Sequence, residues 1–310
     1  MEKEISAKYV TAGLILSETK TLAKKILVPG ADIFECAEKI EEFIVKKGGR
    51  PAFPVNLSFN ENAAHQTPDW NEKIVLRKDD VLKVDIGVHI DGYIADCAFT
   101  INHSAKHALL IEAAELALSN AFAMLNADPT IGEIGSCIEN TIKEKGFKPV
   151  SNLTGHGLER YVQHAPPSIP NIGNSSRAKL LPGKAYAIEP FVSTGSGTVR
   201  ESGKANIFCL DEVKTIRNPH SRKILAHVFE HYKTLPFAER WLKRELNIGD
   251  FELKVGLKQL LHDKIIKAYP ILHDIPGSFV AQAENSFIKT EKQIIPLVVD
   301  DAGEIKGKQA

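Results

Sequence analysis

Several things are scarce in this sequence. Its four cysteines, Cys36, Cys97, Cys137 and Cys209, are widely scattered and form no CxxC pair. That spacing excludes a disulfide scaffold and a zinc site built from thiolates alone, and it suits a reducing compartment. Net charge is absent too, since 39 basic residues balance 39 acidic ones. A chain that grips phosphate backbones needs a basic excess, so no nucleic acid partner is expected. The opening residues, Met-Glu-Lys-Glu-Ile-Ser-Ala-Lys, lack the apolar core of a signal peptide, and no run is read as long enough to span a bilayer. The expectation is a cytoplasmic protein without membrane association. A phosphate-binding loop is also missing, because Gly197 to Gly203-Lys204 is not followed by Ser or Thr. The neighbouring Ser193–Thr198 stretch reads instead as a flexible hairpin turn.

What is present centres on Val81 to Thr100. Two apolar strands meet at Asp91-Gly92, a dipeptide that tolerates the positive φ of a tight hairpin. Each strand carries one carboxylate, Asp85 and Asp96, and no Lys or Arg lies between Val84 and Thr100. An ionised carboxylate among apolar neighbours is costly without a positive partner, so the pair asks for a cation. Glu189 and Glu284 repeat the pattern, each in an apolar strand with no adjacent basic residue. His156, between Gly155 and Gly157, adds an imidazole that a glycine loop can present to a cleft. Singly, each has a structural explanation. Together, four carboxylates and one imidazole suit two divalent first-row metals, and a metal pair points to hydrolysis. One further pattern, His227-Val228-Phe229-Glu230-His231, fits the H-x-x-E-H form of some zinc peptidases, with a solvated helix face as the stronger alternative.

In order along the chain, helices are expected over Ser6–Leu27, from an Asp32 cap to Lys47, over Lys106–Leu125, and from a Thr130 cap to Gly146. An extended piece at Pro51–Ser58 precedes a polar loop to His65. The two halves repeat: shifting Ile33–Pro51 by 98 positions onto Ile131–Pro149 gives eight identities in nineteen positions. The same shift carries His65 to Gln163, beside His164, so two similar lobes would place both histidines at a shared cleft. Asn206–Val213 reads as a strand, Ser221 to about Leu261 as helical, and Gly277–Ile288 and Ile294–Val299 as paired strands. Asp301 onward reads as solvated.

Asn62-Ala63-Ala64-His65, Val84-Asp85-Ile86-Gly87, Ile94-Ala95-Asp96, Thr154-Gly155-His156-Gly157, Ala187-Ile188-Glu189-Pro190 and Ala281-Gln282-Ala283-Glu284 resemble the signatures of the methionine aminopeptidases, type II, within the metal-dependent pita-bread aminopeptidase family. The resemblance runs from about Ala12 to Val299. It implies an α+β pita-bread fold: two pseudo-symmetric lobes, a central antiparallel sheet, outer helices, and one catalytic domain over residues 1–310. A helical type II insert at about 214–272 is implied by Thr234–Leu242. It implies an aminopeptidase that removes the N-terminal methionine of nascent polypeptides when the second residue is small. Metal ligands would be Asp85, Asp96, His156, Glu189 and Glu284, with Asp96 and Glu284 bridging two divalent ions (cobalt, manganese or iron(II)). Glu189 would also shuttle a proton, His65 and His164 would face the substrate, and Phe53, Pro54 and Tyr269 would line the methionine pocket.

Three positions depart from the family pattern: Cys97 after Asp96, Gln163 before His164, and Asn285 after Glu284. There is no long basic N-terminal extension, so transient ribosome association would use another surface, and a monomer is expected. The nearest alternatives are a proline-directed peptidase of the same fold, which carries an added N-terminal domain, and a non-catalytic binding relative. Retention of all five ligands and both histidines disfavours the second.

Overall fold

The computed structural model describes residues 1–299, so the reading of Asp301 onward lies outside the described residues. Its centre is the expected hairpin. Leu82–Ile90 and Tyr93–Ile101 pair antiparallel without a slip, from Leu82 opposite Ile101 to Ile90 opposite Tyr93. Asp91 and Gly92 close it at φ values of 50° and 86°, the left-handed region that this dipeptide enters at low cost.

The hairpin belongs to a nine-stranded antiparallel sheet. From the Tyr93–Ile101 edge the order continues through Glu284–Lys289, Lys184–Ile188, Thr154–Glu159 and Val162–Pro170. Helices α1 (Lys3–Ile26) and α2 (Ile33–Lys46) cover the first half, packing Leu16, Ile40 and Ile44 against Val84, Ile86 and Val88. Helices α3 (Ala108–Met124) and α4 (Ile131–Glu144) cover the second, packing Ala117, Ile134 and Ile138 against Tyr186, Ile188 and Phe287.

The internal repeat is real at the level of local structure. Asp32 caps α2 by accepting from the Glu35 N–H, and Thr130 caps α4 by accepting from the Glu133 N–H. Both cap residues also form an isolated bridge, to Val75 and to Lys179. Gly48 and Gly146 leave the two helices at φ values of 88° and 82°. Short strands follow at Arg50–Pro51 and Lys148–Pro149.

Elsewhere the structure corrects the reading. The stretch before His65 contains a strand, Asn62–Ala64, at the edge of a four-stranded sheet formed with Ile266–His273, Arg200–Leu210 and Phe237–Ala238. The Asn206 strand therefore starts at Arg200, in a polar stretch without the alternation that marks a strand. The helical block divides into α5 (Pro219–His231), α6 (Glu239–Leu246) and α7 (Asp250–His262). Ser193–Gly197 is not a free turn. The buried Asp274 carboxylate gathers it, accepting from the Ser193 and Ser196 hydroxyls and from the Ser196 and Gly197 N–H groups. Finally, Ala108–Ala127 is long and apolar enough to cross a membrane, contrary to expectation. Its length comes from an Ala/Leu-rich run, and Leu110, Ala113, Ala114 and Ala117 lie in the core beneath it.

The chain closes on itself at α1. Val299 donates its N–H to the Ser17 hydroxyl at 3.0 Å, and a Cβ on Gly13 would stand 2.1 Å from the Leu297 carbonyl oxygen. Backbone cannot yield as a side-chain tip can. Gly13→Ala is therefore expected to destabilise the protein by about 1–3 kcal/mol, read as a lower urea midpoint with unchanged slope.

Candidate active site

Strand register alone assembles the site. Residues opposite one another in a sheet share a face, as do residues two apart along a strand. Asp85 lies opposite Ala98, and Asp96 is two residues from Ala98. Glu284 also lies opposite Ala98, on the other neighbouring strand. Asn285 lies opposite Ile188, so Glu284 and Glu189, the adjoining residues, both turn to the opposite face from that pair. His156 lies opposite Ala187, two residues before Glu189. All five side chains thus emerge on one face, around the small Ala98. Gly87 is glycine for the same reason of space, since a Cβ there would meet the Phe53 ring at 2.2 Å.

These residues line one cavity of about 280 Å³, together with His65, His164, Phe53, Gln163 and Tyr269. Ligand atoms of Asp96, His156 and Glu284 lie within 4.8 Å of one another, and His156 Nε2 is 3.6 Å from Glu189 Oε1. Pro54 does not line the cavity; its carbonyl accepts from Asn56 Nδ2 at 2.8 Å behind the wall.

The electrostatics describe a cation-shaped gap. Burial pushes the Asp85 carboxyl up to about 7, with the nearby Gln282 amide opposing. Burial, reinforced by the neighbouring carboxylates, holds Asp96, Glu189 and Glu284 well above their ordinary range. Asp85 Oδ1 and Asp96 Oδ1 are buried without a hydrogen-bond partner. Neither Gln282 amide atom closes a hydrogen bond of good geometry, so its effect on Asp85 is that of a near neighbour. Carboxylate oxygens and one imidazole nitrogen, crowded and undersupplied with positive charge, fit divalent first-row ions.

The histidines are prepared differently. Burial lowers His156 to about 4, and its Nδ1 lies 3.2 Å from the Gly157 carbonyl. That contact places the proton on Nδ1 and leaves the Nε2 lone pair toward Glu189 and Asp96, the form a metal ligand needs. His65, also lowered to about 4 by burial, sits at φ 63° with Nδ1 3.2 Å from the Pro270 carbonyl. Burial first, then the nearby His156, holds His164 well below the usual range. Tyr269 stands edge-on to His65 at 5.3 Å and 6.4 Å from His164.

The departures separate cleanly. Cys97 and Asn285 are cross-strand partners, so alternation turns both away from the ligand face. Asn285 ties down the C-terminal segment, donating to the Val298 carbonyl and accepting from the Val298 N–H. Gln163 is different: it lines the cavity, with Nε2 3.5 Å from Asp96 Oδ2. Sequence reasoning missed Asn56, Gln282 and Asn152, because an isolated amide carries no charge cost to flag it. The zinc-like pattern at His227 is not a metal group among the described residues. His227 Nε2 is engaged with Glu245 at 2.9 Å, and Arg244 also holds that carboxylate.

Comparisons with known proteins agree with this geometry. The family model described as "Metallopeptidase family M24" matches residues 7–213. The chain belongs to metallopeptidase family M24. A methionine aminopeptidase of Archaeoglobus fulgidus is 41% identical over 288 residues, covering 93% of this chain and 96% of that protein. A solved thermophilic Arx1 superposes with a TM-score of 0.83 at 19% identity, covering 98% of this chain and 93% of that one. The solved methionine aminopeptidase of Thermotoga maritima gives 0.69 at 21% identity, covering 97% and 98%. The fold is the pita-bread fold of that family, and M24 membership implies divalent metal use.

Removing metal should expose the carboxylates' titration. A carboxyl raised in the folded state binds its proton more tightly than in the unfolded chain, so stability falls as pH rises toward the folded pKa. Below about pH 6.5 the depressed histidines act in the opposite sense, which leaves the clean window above it. There the buried Lys83, held low by burial, also opposes, as one group against Asp96, Glu189 and Glu284. Chelator-treated protein is expected to lose stability as pH rises above about 6.5, and added manganese or cobalt should flatten that slope. Denaturant titrations across this range check it.

Proposed function

We propose that this chain releases methionine from the N-termini of nascent polypeptides whose second residue is small. The convergence of Asp85, Asp96, His156, Glu189 and Glu284 on one sheet face carries the reading, supported by relatives that are methionine aminopeptidases. These five residues would hold two divalent ions, cobalt, manganese or iron(II). When bound, such a pair supplies a water of lowered pKa and polarises the peptide carbonyl.

The chain's own groups do the rest. Glu189, a cavity carboxylate 3.6 Å from His156 Nε2, accepts a proton from the attacking water and returns it to the leaving amine. His164 is neutral, and it donates one N–H to the carbonyl oxygen as charge develops there. His65, with Nδ1 committed to Pro270, offers its other nitrogen toward the scissile amide. Phe53 and Tyr269 form aromatic walls around the unbranched thioether side chain. Pro54, next to Phe53, accepts from the side chain of Asn56, a residue of the same lining. The closed space beyond the scissile bond admits Gly, Ala, Ser, Thr, Val, Pro or Cys at the second position. On this reading the enzyme works in the cytoplasm, as a monomer, in transient contact with ribosomes. The balanced charge supports the absence of a nucleic acid partner.

A panel of X-Ala-Ser tripeptides with the metal-loaded enzyme tests the assignment. Met should be strongly preferred at the first position; Leu or Gln cleaved equally well would defeat it, with Gln163 the residue to blame. The roles of the histidines separate by measurement too. His164→Ala should lower kcat on the order of 10²–10³ with bound metal unchanged, whereas His156→Ala should lose metal. Metal titration of both variants decides between these roles.

A further inference from the structure

Helix α6 of the insert is tied to the first half of the chain by a cluster centred on Arg240. Arg240, in the first turn of α6, is fully enclosed, and each arm of its guanidinium goes to a different partner in the first half of the chain. Nε donates to Glu38 at 3.2 Å, Nη1 to the Thr67 hydroxyl at 2.6 Å, and Nη2 to Glu41. Trp241 adds its indole N–H to the second Glu41 oxygen at 2.7 Å.

Glu41 and Thr67 are also the two anchors of Val55. Glu41 accepts from the Val55 N–H at 3.1 Å, and the Thr67 hydroxyl donates to the Val55 carbonyl at 2.8 Å. Both backbone polar groups of Val55 therefore end on side chains that Arg240 holds. Val55 lies between Phe53 and Asn56, two residues of the cavity lining. Thr67 lies two residues after His65, and the two segments are joined again by Leu57 N–H to the Gln66 carbonyl at 2.7 Å. A lysine's three donors all sit on one nitrogen, whereas the planar fork of arginine reaches these acceptors from three separate nitrogens.

We propose that Arg240 is a positioning residue for the substrate side-chain pocket, clamping the Phe53–Asn56 wall through Glu41 and Thr67 so that it is preformed for methionine. A wall ordered before binding spares the substrate that ordering cost. This rests on the methionine-releasing reading. The imidazole of His65 has its own anchor at Pro270, and Arg240 bonds none of the five ligand residues, so the effect falls on substrate binding.

Arg240→Lys and Thr67→Val, made in the full chain and loaded with manganese, test the clamp. Both should raise KM for Met-Ala-Ser by about 5- to 20-fold while kcat stays within about twofold. Bound metal, measured by atomic emission, should match wild type. Amide exchange at Val55 and Leu57 should accelerate relative to the central hairpin. Thr67→Val leaves the Arg240–Glu41–Glu38 cluster in place and carries the test if Arg240→Lys does not fold. An unchanged KM in a folded variant, or a rate loss that only follows the folded fraction, overturns the clamp. A wild type that releases no methionine would sink the methionine reading instead, and amide exchange would then decide the clamp by itself.

Discussion

The structure turns on a conflict between charge and burial. Four carboxylates emerge close together on one face of the central sheet, where burial disfavours their charged forms. Leaving even one such ion uncompensated costs several kcal/mol, a substantial fraction of a domain's net stability. Protonation relieves the conflict one way and a bound cation the other. Only the second leaves the carboxylates able to do chemistry near neutral pH. The donor set, the neutral state of His156 and the unpartnered Asp85 and Asp96 oxygens all follow from that constraint.

Duplication is the means by which the chain meets it. Each half supplies a capped helix over a strand pair, and the two pairs are brought edge to edge by Glu284–Lys289. Neither half holds enough acidic residues alone. Joined, they hold Asp85 and Asp96 from one side, His156 and Glu189 from the other, and Glu284 from the strand between. The histidines follow the same plan, one from each half at the cleft.

Most of this was legible because the signals were local or costly. The hairpin announced itself through Asp91-Gly92, the helices through their caps, and the ligands through charge in apolar strands. What the sequence hid was non-local. The strand at Arg200 carries Glu, Ser, Gly and Lys, and it is a strand because Ile266–His273 pairs with it. Ser193–Gly197 looked mobile because the carboxylate that orders it, Asp274, lies far along the chain. The Ala/Leu-rich α3 run met the length and apolarity of a membrane span, although its buried face is core. Motif matching brought Phe53 and Pro54 to the pocket together, and the cavity is lined by Phe53. The departures at Cys97 and Asn285 could be noticed but not interpreted until register showed them facing each other.

The position of Glu284–Lys289 also bears on biosynthesis. This strand lies in the middle of the sheet but is made after both strands that flank it. Until it emerges, Tyr93–Ile101 and Lys184–Ile188 each present an open edge, the kind of surface that invites pairing with other chains. Closure spans nearly two hundred residues between Cys97 and Asn285, a long-range contact of the sort that slows folding. The set of five candidate ligands is therefore complete only once this strand has slotted between the two halves made before it.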